Sequence, residues 1–108
     1  MWGEIVEKFK SIVDRPQASD MGSGFGHYEV APGSTLKEFL KWFKENCKLW
    51  GTIKIIDKDG DIVRYFDYDT WNNNIVYTNM SFWQYDSEIK KIEFRYCFMS
   101  EDITIWLK

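Results

Sequence analysis

The sequence predicts an α+β domain in which two amphipathic helices pack on a mainly antiparallel sheet of about five strands, in the order α-β-α-β-β-β-β-β. Three observations support this class: helical spacing of apolar residues in 2–15, the same spacing after residue 35, and alternation of apolar and polar residues from residue 52 onward. A chain of 108 residues suffices for one packed core, so residues 1–108 are predicted to form a single domain.

The first predicted helix covers residues 2–15 and ends at Pro16. Its apolar residues recur at helical spacing and are Trp2, Ile5, Val6, Phe9, Ile12 and Val13. The following segment, RPQASDMGSGFG, combines small and polar residues with three glycines in five positions. It is predicted to be a loop of about ten residues, because glycine gives regular structure no side-chain support.

A short strand at 27–30 is predicted to lead into the second helix. Ser34 or Thr35 can cap the start of this helix, and Glu38 suits a capping box with Thr35. The helix is predicted to run to about residue 46, with Trp42 beside its apolar stripe and in contact with a neighbouring element or solvent. The stripe that faces the core consists of Leu36, Phe39, Leu40, Phe43 and Cys47.

Residues 52–69 carry the strongest local pattern, that of a β-hairpin. Residues 58–60 fit a three-residue loop, a type I turn closed by Gly60 in the left-handed region. The resulting register pairs Ile55 with Val63 and Ile53 with Tyr65 on one face. The other face receives Ile56, Ile62, Phe66 and Tyr68. Both faces of this hairpin are therefore predicted to be apolar.

The remaining chain predicts a turn at 71–74, a strand at about 75–80 and a C-terminal hairpin. Between them, SFWQYDSE fits either a turn or a helical fragment. The hairpin is predicted to turn at SED, residues 100–102. Its core face carries Ile92, Phe94, Tyr96, Phe98, Ile103, Ile105 and Leu107, and the other face carries Cys97, Met99 and Trp106.

Charge and hydropathy argue against several classes of partner. Lys and Arg number 14 and Asp and Glu number 17, for a net charge of -3 without a long run of either sign. Because no basic stripe is present to follow a phosphate backbone, we predict no nucleic-acid partner. No apolar stretch approaches the roughly 20 residues that span a bilayer, and MWGEIVEKFK carries no export signal. We therefore predict no membrane partner and a cytoplasmic location, with Cys47 and Cys97 as buried reduced thiols.

Few residues are suited to catalysis or to metal binding. The sole histidine, His27, has Cys47 and Cys97 as possible partners in a dyad, but both cysteines lie in apolar patterns that favour inert burial. DKDGD alternates acids as calcium loops do, but Ile62 and Tyr68 occupy the positions at which an EF-hand needs glycine and glutamate. GSGFG lacks the context of a phosphate-binding loop. We therefore predict a non-enzymatic protein without a metal or a cofactor.

The stretch HYEVAPGSTLKEFLKWFKE resembles the strand, cap and helix of β-grasp domains, including ubiquitin-like adaptors. The resemblance covers less than a fifth of the chain and rests on the pattern of a capped amphipathic helix. It implies a strand followed by a helix, and it implies no function.

Aromatic residues are the most informative excess, since they make up 19% of the chain. They alternate with carboxylates and amides in YFDYDTWNNN, residues 65–74, and recur in FWQYD, residues 82–86. This mixture is typical of three structures: a hairpin whose aromatics fill a core, a protein interface anchored by Tyr and Trp, or a sugar site in which rings stack on the ligand.

Two functions are predicted from this pattern. The first is a small protein-interaction module of the inhibitor, immunity or adaptor type, which binds a partner protein or a second copy through an aromatic sheet face or loop. Its anchors are predicted to be Tyr68, Trp71, Trp83 and Trp106, with Asp67 and Asp69 at the rim. The alternative is a carbohydrate or small-ligand binding domain in which Trp71 and Trp83 stack on a ring beside Asp69 and Asn73.

Overall fold

The structure is a computed structural model, and it describes residues 8–17, 22–72, 74–75 and 86–108. Its elements in chain order are β1 (Phe9–Gln17), β2 (Ser23–Val30), α1 (Leu36–Asn46), β3 (Trp50–Ile56), β4 (Ile62–Asp69), a 3-10 turn (Thr70–Asn72), β5 (Asn74–Ile75), β6 (Ile89–Cys97) and β7 (Ser100–Leu107). The described ranges thus contain one α-helix and a seven-stranded sheet, in which β5 has only two residues.

The sheet is mixed, with the strand order β1-β2-β6-β7-β3-β4-β5. Neighbouring strands are antiparallel except β3 and β7, which run parallel. Helix α1 connects β2 to β3, and these two strands are separated in the sheet by β6 and β7. The last two strands of the chain therefore form the centre of the sheet.

This architecture contradicts the prediction of two helices on an antiparallel sheet of five strands. The segment predicted as the first helix overlaps β1, which pairs with β2. Phe9 and Val13 share one face of this strand and Ile12 lies on the other, so the apolar residues do not alternate as strand residues usually do and the pattern favoured a helix. The backbone hydrogen bonds between β1 and β2 outweigh the helical spacing of the apolar residues. Residues 2–7 of the predicted helix lie outside the described residues.

Strand β2 begins at Ser23, inside the segment predicted as a loop. Gly26 pairs with Phe94 of β6, and a Cβ at Gly26 would overlap the Phe94 ring and the carbonyl oxygen of Ile12. The missing side chain therefore allows close approach of a ring and a backbone within the sheet. Gly26 therefore lies within a strand, although a glycine-rich segment is usually predicted to be a loop.

Helix α1 confirms the predicted capped helix. Thr35 Oγ1 accepts a hydrogen bond from the Glu38 N–H (3.3 Å), and the Glu38 carboxylate accepts one from the Thr35 N–H (3.1 Å). The Trp42 ring lies beside the apolar stripe and packs near Phe9 and Tyr28, with centroid distances of 5.5 and 6.0 Å. The buried residues of the helix are Leu36, Phe39, Leu40 and Phe43.

The β3–β4 turn is the predicted three-residue loop, but the predicted register is wrong beyond it. Gly60 has a φ of 87° and donates its N–H to the Asp57 carbonyl oxygen. Ile56 faces Ile62 as predicted, whereas a β-bulge then places Ile55 opposite Arg64 and Ile53 opposite Phe66. The shift of one residue puts Phe66 and Tyr68 on the face toward α1 and Tyr65 on the opposite face.

The C-terminal hairpin is present with a different turn. Cys97 pairs with Ser100, so Phe98 and Met99 form the turn in place of the predicted SED. Phe98 is consequently exposed, although it was predicted in the core, and Glu101 is buried. Strand β5 covers the start of the strand predicted at about 75–80, and residues 76–80 lie outside the described residues.

The core lies between α1 and one face of the sheet. The buried apolar side chains are Phe9, Tyr28, Leu36, Phe39, Leu40, Phe43, Ile53, Ile55, Tyr68, Ile89, Ile92, Phe94, Ile103, Ile105 and Leu107. The face of the sheet opposite α1, which we call the distal face, carries the alternating residues of the same strands. Within the described ranges, no helix has the length and apolar character needed to cross a bilayer.

Candidate interaction surface

Four apolar side chains lie at one end of the sheet. Phe98 and Met99 form the β6–β7 turn, Trp50 begins β3, and Trp71 follows β4 in the 3-10 turn. The backbone connects them, because the Trp50 N–H donates to the Met99 carbonyl oxygen (3.3 Å) and Trp50 pairs with Asp69 at the end of β4. We call Trp50, Trp71, Phe98 and Met99 the aromatic end.

The aromatic end is exposed to an unusual degree for side chains of this size. The exposed fractions are 53% for Trp50, 52% for Trp71, 66% for Phe98 and 46% for Met99. Single exposed apolar residues are ordinary on protein surfaces, whereas several at one place are typical of an interaction site.

Phe98 adopts a backbone conformation that favours glycine. Its φ is 56°, and it is the only non-glycine residue with a positive φ in the described ranges. A two-residue hairpin turn with a positive φ at its first position only is of type II′, in which glycine normally takes that position. An L-residue with a positive φ costs about 1–2 kcal/mol in steric strain. The fold therefore holds an exposed aromatic ring at a position that disfavours it.

Trp71 is presented by a turn with many hydrogen bonds. Asp69 Oδ1 accepts the Trp71 N–H (3.0 Å), and Asp69 Oδ2 accepts a hydrogen bond from the Asn72 side chain (2.6 Å). Thr70 is buried and exchanges hydrogen bonds with the backbone of Leu49, just before β3. The position of Trp71 is therefore fixed relative to β3, and the Asp69 carboxylate serves the turn.

The residues predicted as a binding site do not form one group. Tyr68 is buried in the core, where its hydroxyl donates to the Glu101 carbonyl oxygen (2.7 Å), so it is not an accessible anchor. Asp67 is exposed on the distal face, and Trp106 lies half-buried on that face at the end remote from Trp71, where it pairs with Ile56. Trp71 and Asp69 do lie together. Asn73 and Trp83 lie outside the described residues, and the sugar site predicted with them stays a prediction.

His27 forms no dyad with either cysteine, because it lies on the distal face, whereas Cys47 follows α1 near Tyr28 on the other face and Cys97 lies farther along the sheet. His27 pairs with Glu93 on β6, four residues before Cys97, which corresponds to about 13 Å along a strand. The His27 Nδ1 atom lies 2.7 Å from Asp14 Oδ2 on the distal face. Cys97 is exposed, so the prediction that it is buried is wrong, while Cys47 is half-buried. Burial raises the pKa of the Cys47 thiol to about 11, which keeps it protonated and weakly nucleophilic at neutral pH.

Asp57 of the DKDGD segment forms hydrogen bonds within the hairpin turn. Asp57 Oδ1 accepts the N–H groups of Asp59 (2.9 Å) and Asp61 (3.0 Å), so this side chain stabilises the hairpin turn. In the part of the chain that the structure describes, no three His, Cys, Asp or Glu side chains are grouped as metal ligands would be.

The distal face carries a shallow recess in the middle of the sheet, with a volume of about 350 Å³. It extends across β2, β6, β7, β3 and β4. Its aromatic lining is Phe25, Tyr65 and Trp106, and its polar lining includes Thr52, Lys54, Glu93, Arg95, Asp102 and Thr104. An adjoining hollow of about 380 Å³ lies beside Asp14, Gly26 and Glu93. Among the described residues, the recess and the aromatic end each carry two or more exposed aromatic side chains.

Comparisons with protein-family models, with curated proteins and with solved structures find no match to this chain. Any proposal about function therefore depends on the geometry of these two surfaces.

Three residues of the aromatic end were missed in the sequence: Trp50, Phe98 and Met99. Phe98 and Met99 continue the alternation of β6, and neither is a residue type that predicts a turn. The polar run SED offered the more conventional turn. The turn position follows from the pairing of β7 with β6 and β3, which also buries Glu101 against Tyr28, and no local pattern reveals that pairing.

Proposed function

We propose that this chain is a non-enzymatic protein-binding module, of the inhibitor, immunity or adaptor type, and that the aromatic end is its contact surface. The observation that carries the proposal is Phe98, which is two-thirds exposed at a strained position where glycine is favoured. Strain of this kind persists where surrounding structure imposes it, and it concentrates at functional positions. A ring kept in solvent at that cost suits insertion into a pocket of a partner.

The composition of the aromatic end supports a protein partner. Trp, Phe and Met are enriched at the centres of protein interfaces, where large apolar side chains supply most of the binding free energy. Trp50 on β3 and Trp71 after β4 follow the Phe98 turn along the same end of the sheet, and their backbones are held by hydrogen bonds, so little conformational entropy is lost when they bind. The predicted anchors Tyr68 and Trp106 are not part of this surface.

The substitution Phe98→Gly tests the proposal, because it removes the ring and relieves the strain together. We expect the free energy of unfolding to stay within about 1 kcal/mol of the parent, because relief of the strain offsets the small buried part of the ring and the greater freedom of glycine in the unfolded chain. Binding is expected to weaken at least about tenfold, as for an interface hot spot. Urea denaturation and isothermal titration calorimetry measure the two effects.

The matched control is Ile62→Ser, which removes another exposed apolar side chain at the opposite end of the sheet. Proteins retained from a cell extract by the parent and by this control, but lost with Phe98→Gly, are the candidate partners, and each is then purified for calorimetry. Sedimentation of the isolated chain shows whether a second copy is the partner. A partner that binds the parent and Phe98→Gly with equal affinity would contradict the proposal.

The proposal includes a cytoplasmic location. Cys47 and Cys97 are free thiols, and Cys97 is exposed. Free exposed thiols persist in reducing compartments and are oxidised in others. Labelling of intact cells with a thiol reagent that cannot cross membranes is expected to leave Cys97 unmodified, and modification in intact cells would contradict this location.

A further inference from the structure

The recess of the distal face has a regular construction. Strand pairing places His27, Glu93, Thr104, Lys54 and Tyr65 in one row across the sheet. The adjacent row contains Phe25, Arg95, Asp102, Thr52 and Asp67. The recess lies along both rows, so its floor is polar and its two ends carry aromatic rings.

The aromatic rings are separated by more than the width of one sugar ring. Phe25 on β2 and Tyr65 on β4 are four strand spacings apart, which corresponds to about 19 Å across a flat sheet. Both rings are exposed, Tyr65 to 61%. Trp106 lies between them on β7, and Lys91 Nζ lies 4.4 Å from its ring centroid. The aromatic rings are therefore spaced for an elongated ligand with more than one ring.

The charges of the recess balance. Lys54 and Arg95 supply two positive charges, and Glu93 and Asp102 supply two negative charges. Arg95 lies 3.8 Å from Asp102, whose Oδ1 accepts a hydrogen bond from Thr52 Oγ1 (2.9 Å). A phosphate would meet two carboxylates and a cation would meet two basic groups, so neither charge is favoured. An uncharged ligand with many hydroxyl groups finds both donors and acceptors.

We propose that the recess binds a neutral oligosaccharide of about four or five sugar units, with Phe25 and Tyr65 against the sugar faces at its two ends. Lys54, Arg95, Glu93 and Thr104 bind its hydroxyl groups. Rings stack on the apolar faces of sugars, while the polar floor replaces the hydrogen bonds that the hydroxyl groups lose with water. This site is separate from the aromatic end and does not depend on protein binding there.

The test is a titration of the ¹⁵N-labelled chain with maltopentaose, cellopentaose, mannopentaose, xylopentaose and N-acetylchitopentaose, followed by amide chemical shifts. At least one pentasaccharide is expected to give saturable shifts below about 20 mM, confined to the strands around the recess. Tyr65→Ala is expected to weaken that binding about tenfold, because one stacking contact is lost. Ile62→Ser, which is exposed on the same hairpin but outside the recess, is expected to leave the affinity unchanged.

Three results would overturn the proposal. One is the absence of saturable shifts with all five pentasaccharides in a chain whose spectrum shows it to be folded. Another is equal affinity of the parent and Tyr65→Ala, with the second variant Phe25→Ser also unchanged. The third is tighter binding of inorganic phosphate or ATP at the same residues, which would make the recess an anion site. Since Tyr65 and Phe25 are exposed, both variants are expected to fold.

Discussion

At the scale of single residues, Glu101 has the least usual position. It is buried on the face toward α1, where Oε1 accepts a hydrogen bond from the Tyr28 hydroxyl (2.5 Å). Gly51 lies opposite on β3 with a φ of 153°, and a Cβ there would overlap the Glu101 carbonyl oxygen. Tyr68 pairs with Gly51 and donates to that same oxygen. Glu101, Gly51 and Tyr68 thus lie in one row of the sheet, and Tyr28 reaches Glu101 from another row.

Burial raises the pKa of Glu101, and the hydrogen bond from Tyr28 acts in the opposite direction as the smaller effect. Because the pKa is higher in the folded chain than in the unfolded chain, folding favours the protonated carboxyl group. Its contribution to stability is complete below the unfolded pKa of about 4.3 and is lost as the pH rises through the folded pKa.

The substitution Glu101→Gln is therefore expected to flatten the decline of stability with rising pH. The amide oxygen still accepts from Tyr28, and the variant has no charge to bury. Urea denaturation from about pH 4 to pH 8 should show the variant gaining on the parent as the pH rises. Glu101→Ala, the comparison, is expected to cost about 1–3 kcal/mol because the Tyr28 hydroxyl loses its partner. Parallel pH profiles of the parent and the glutamine variant would refute the assignment.

At the scale of elements, α1 is tied to the sheet by its first turn. Glu38 closes the capping box and forms an ion pair with Lys8, which precedes β1. This contact with Lys8, more than the hydrogen bond from Thr35, lowers the pKa of Glu38. The Leu36 N–H donates to the Ser87 carbonyl oxygen, and the Ile89 N–H donates to the Ser34 carbonyl oxygen. The start of the helix therefore also contacts the start of β6.

Thr35→Ala removes the side chain that accepts the Glu38 N–H, and we expect a loss of about 1 kcal/mol of unfolding free energy. Lys41→Ala on the exposed side of the same helix is the control, and its effect is expected to stay within about 0.5 kcal/mol. Thermal and urea denaturation measure both. Equal stability of the two variants would show that the capping box contributes nothing to the fold.

Elements were predicted correctly where their determinants are local. The capping box of α1 and the DKDG turn each use side chains within four residues, and both are found. The failures involve partners distant in sequence. Strand β1 depends on pairing with β2, and the position of the last turn depends on the pairing of β7 with β6 and β3. Backbone pairing of this kind leaves little trace in local periodicity.

The predicted faces of β4 were wrong because its register depends on a β-bulge. The bulge after Ile62 inserts one residue into β4, and every later side chain of the strand changes face. Tyr68 was therefore predicted on a binding face but lies in the core, whereas Tyr65 was predicted in the core but lines the recess. Trp71 was found as a surface residue because its turn has a recognisable Asp and Asn pattern.

At the scale of the whole molecule, the sheet is completed from the end of the chain. Strands β6 and β7 separate β2 from β3. Their core residues are Ile89, Ile92, Phe94, Ile103, Ile105 and Leu107. Both proposed sites also depend on them, because β6 and β7 provide the Phe98 turn and most of the polar floor of the recess. Without these strands, β2 and β3 each lose a neighbour in the described sheet.

The topology predicts that residues 1–86 do not fold alone and that a peptide of residues 87–108 restores the fold. The fragment lacks the centre of the sheet, including Ile92, Phe94 and Ile105 of the core, so its apolar face has no cover. We expect narrow amide dispersion in its ¹⁵N spectrum and no cooperative unfolding, with both properties recovered when the peptide is added. A peptide with Ile105→Asp should fail to restore them, because it would bury an unpaired carboxylate. A dispersed spectrum of the fragment alone would show that the remaining strands form a stable sheet, and a central position for β6 and β7 would then be wrong.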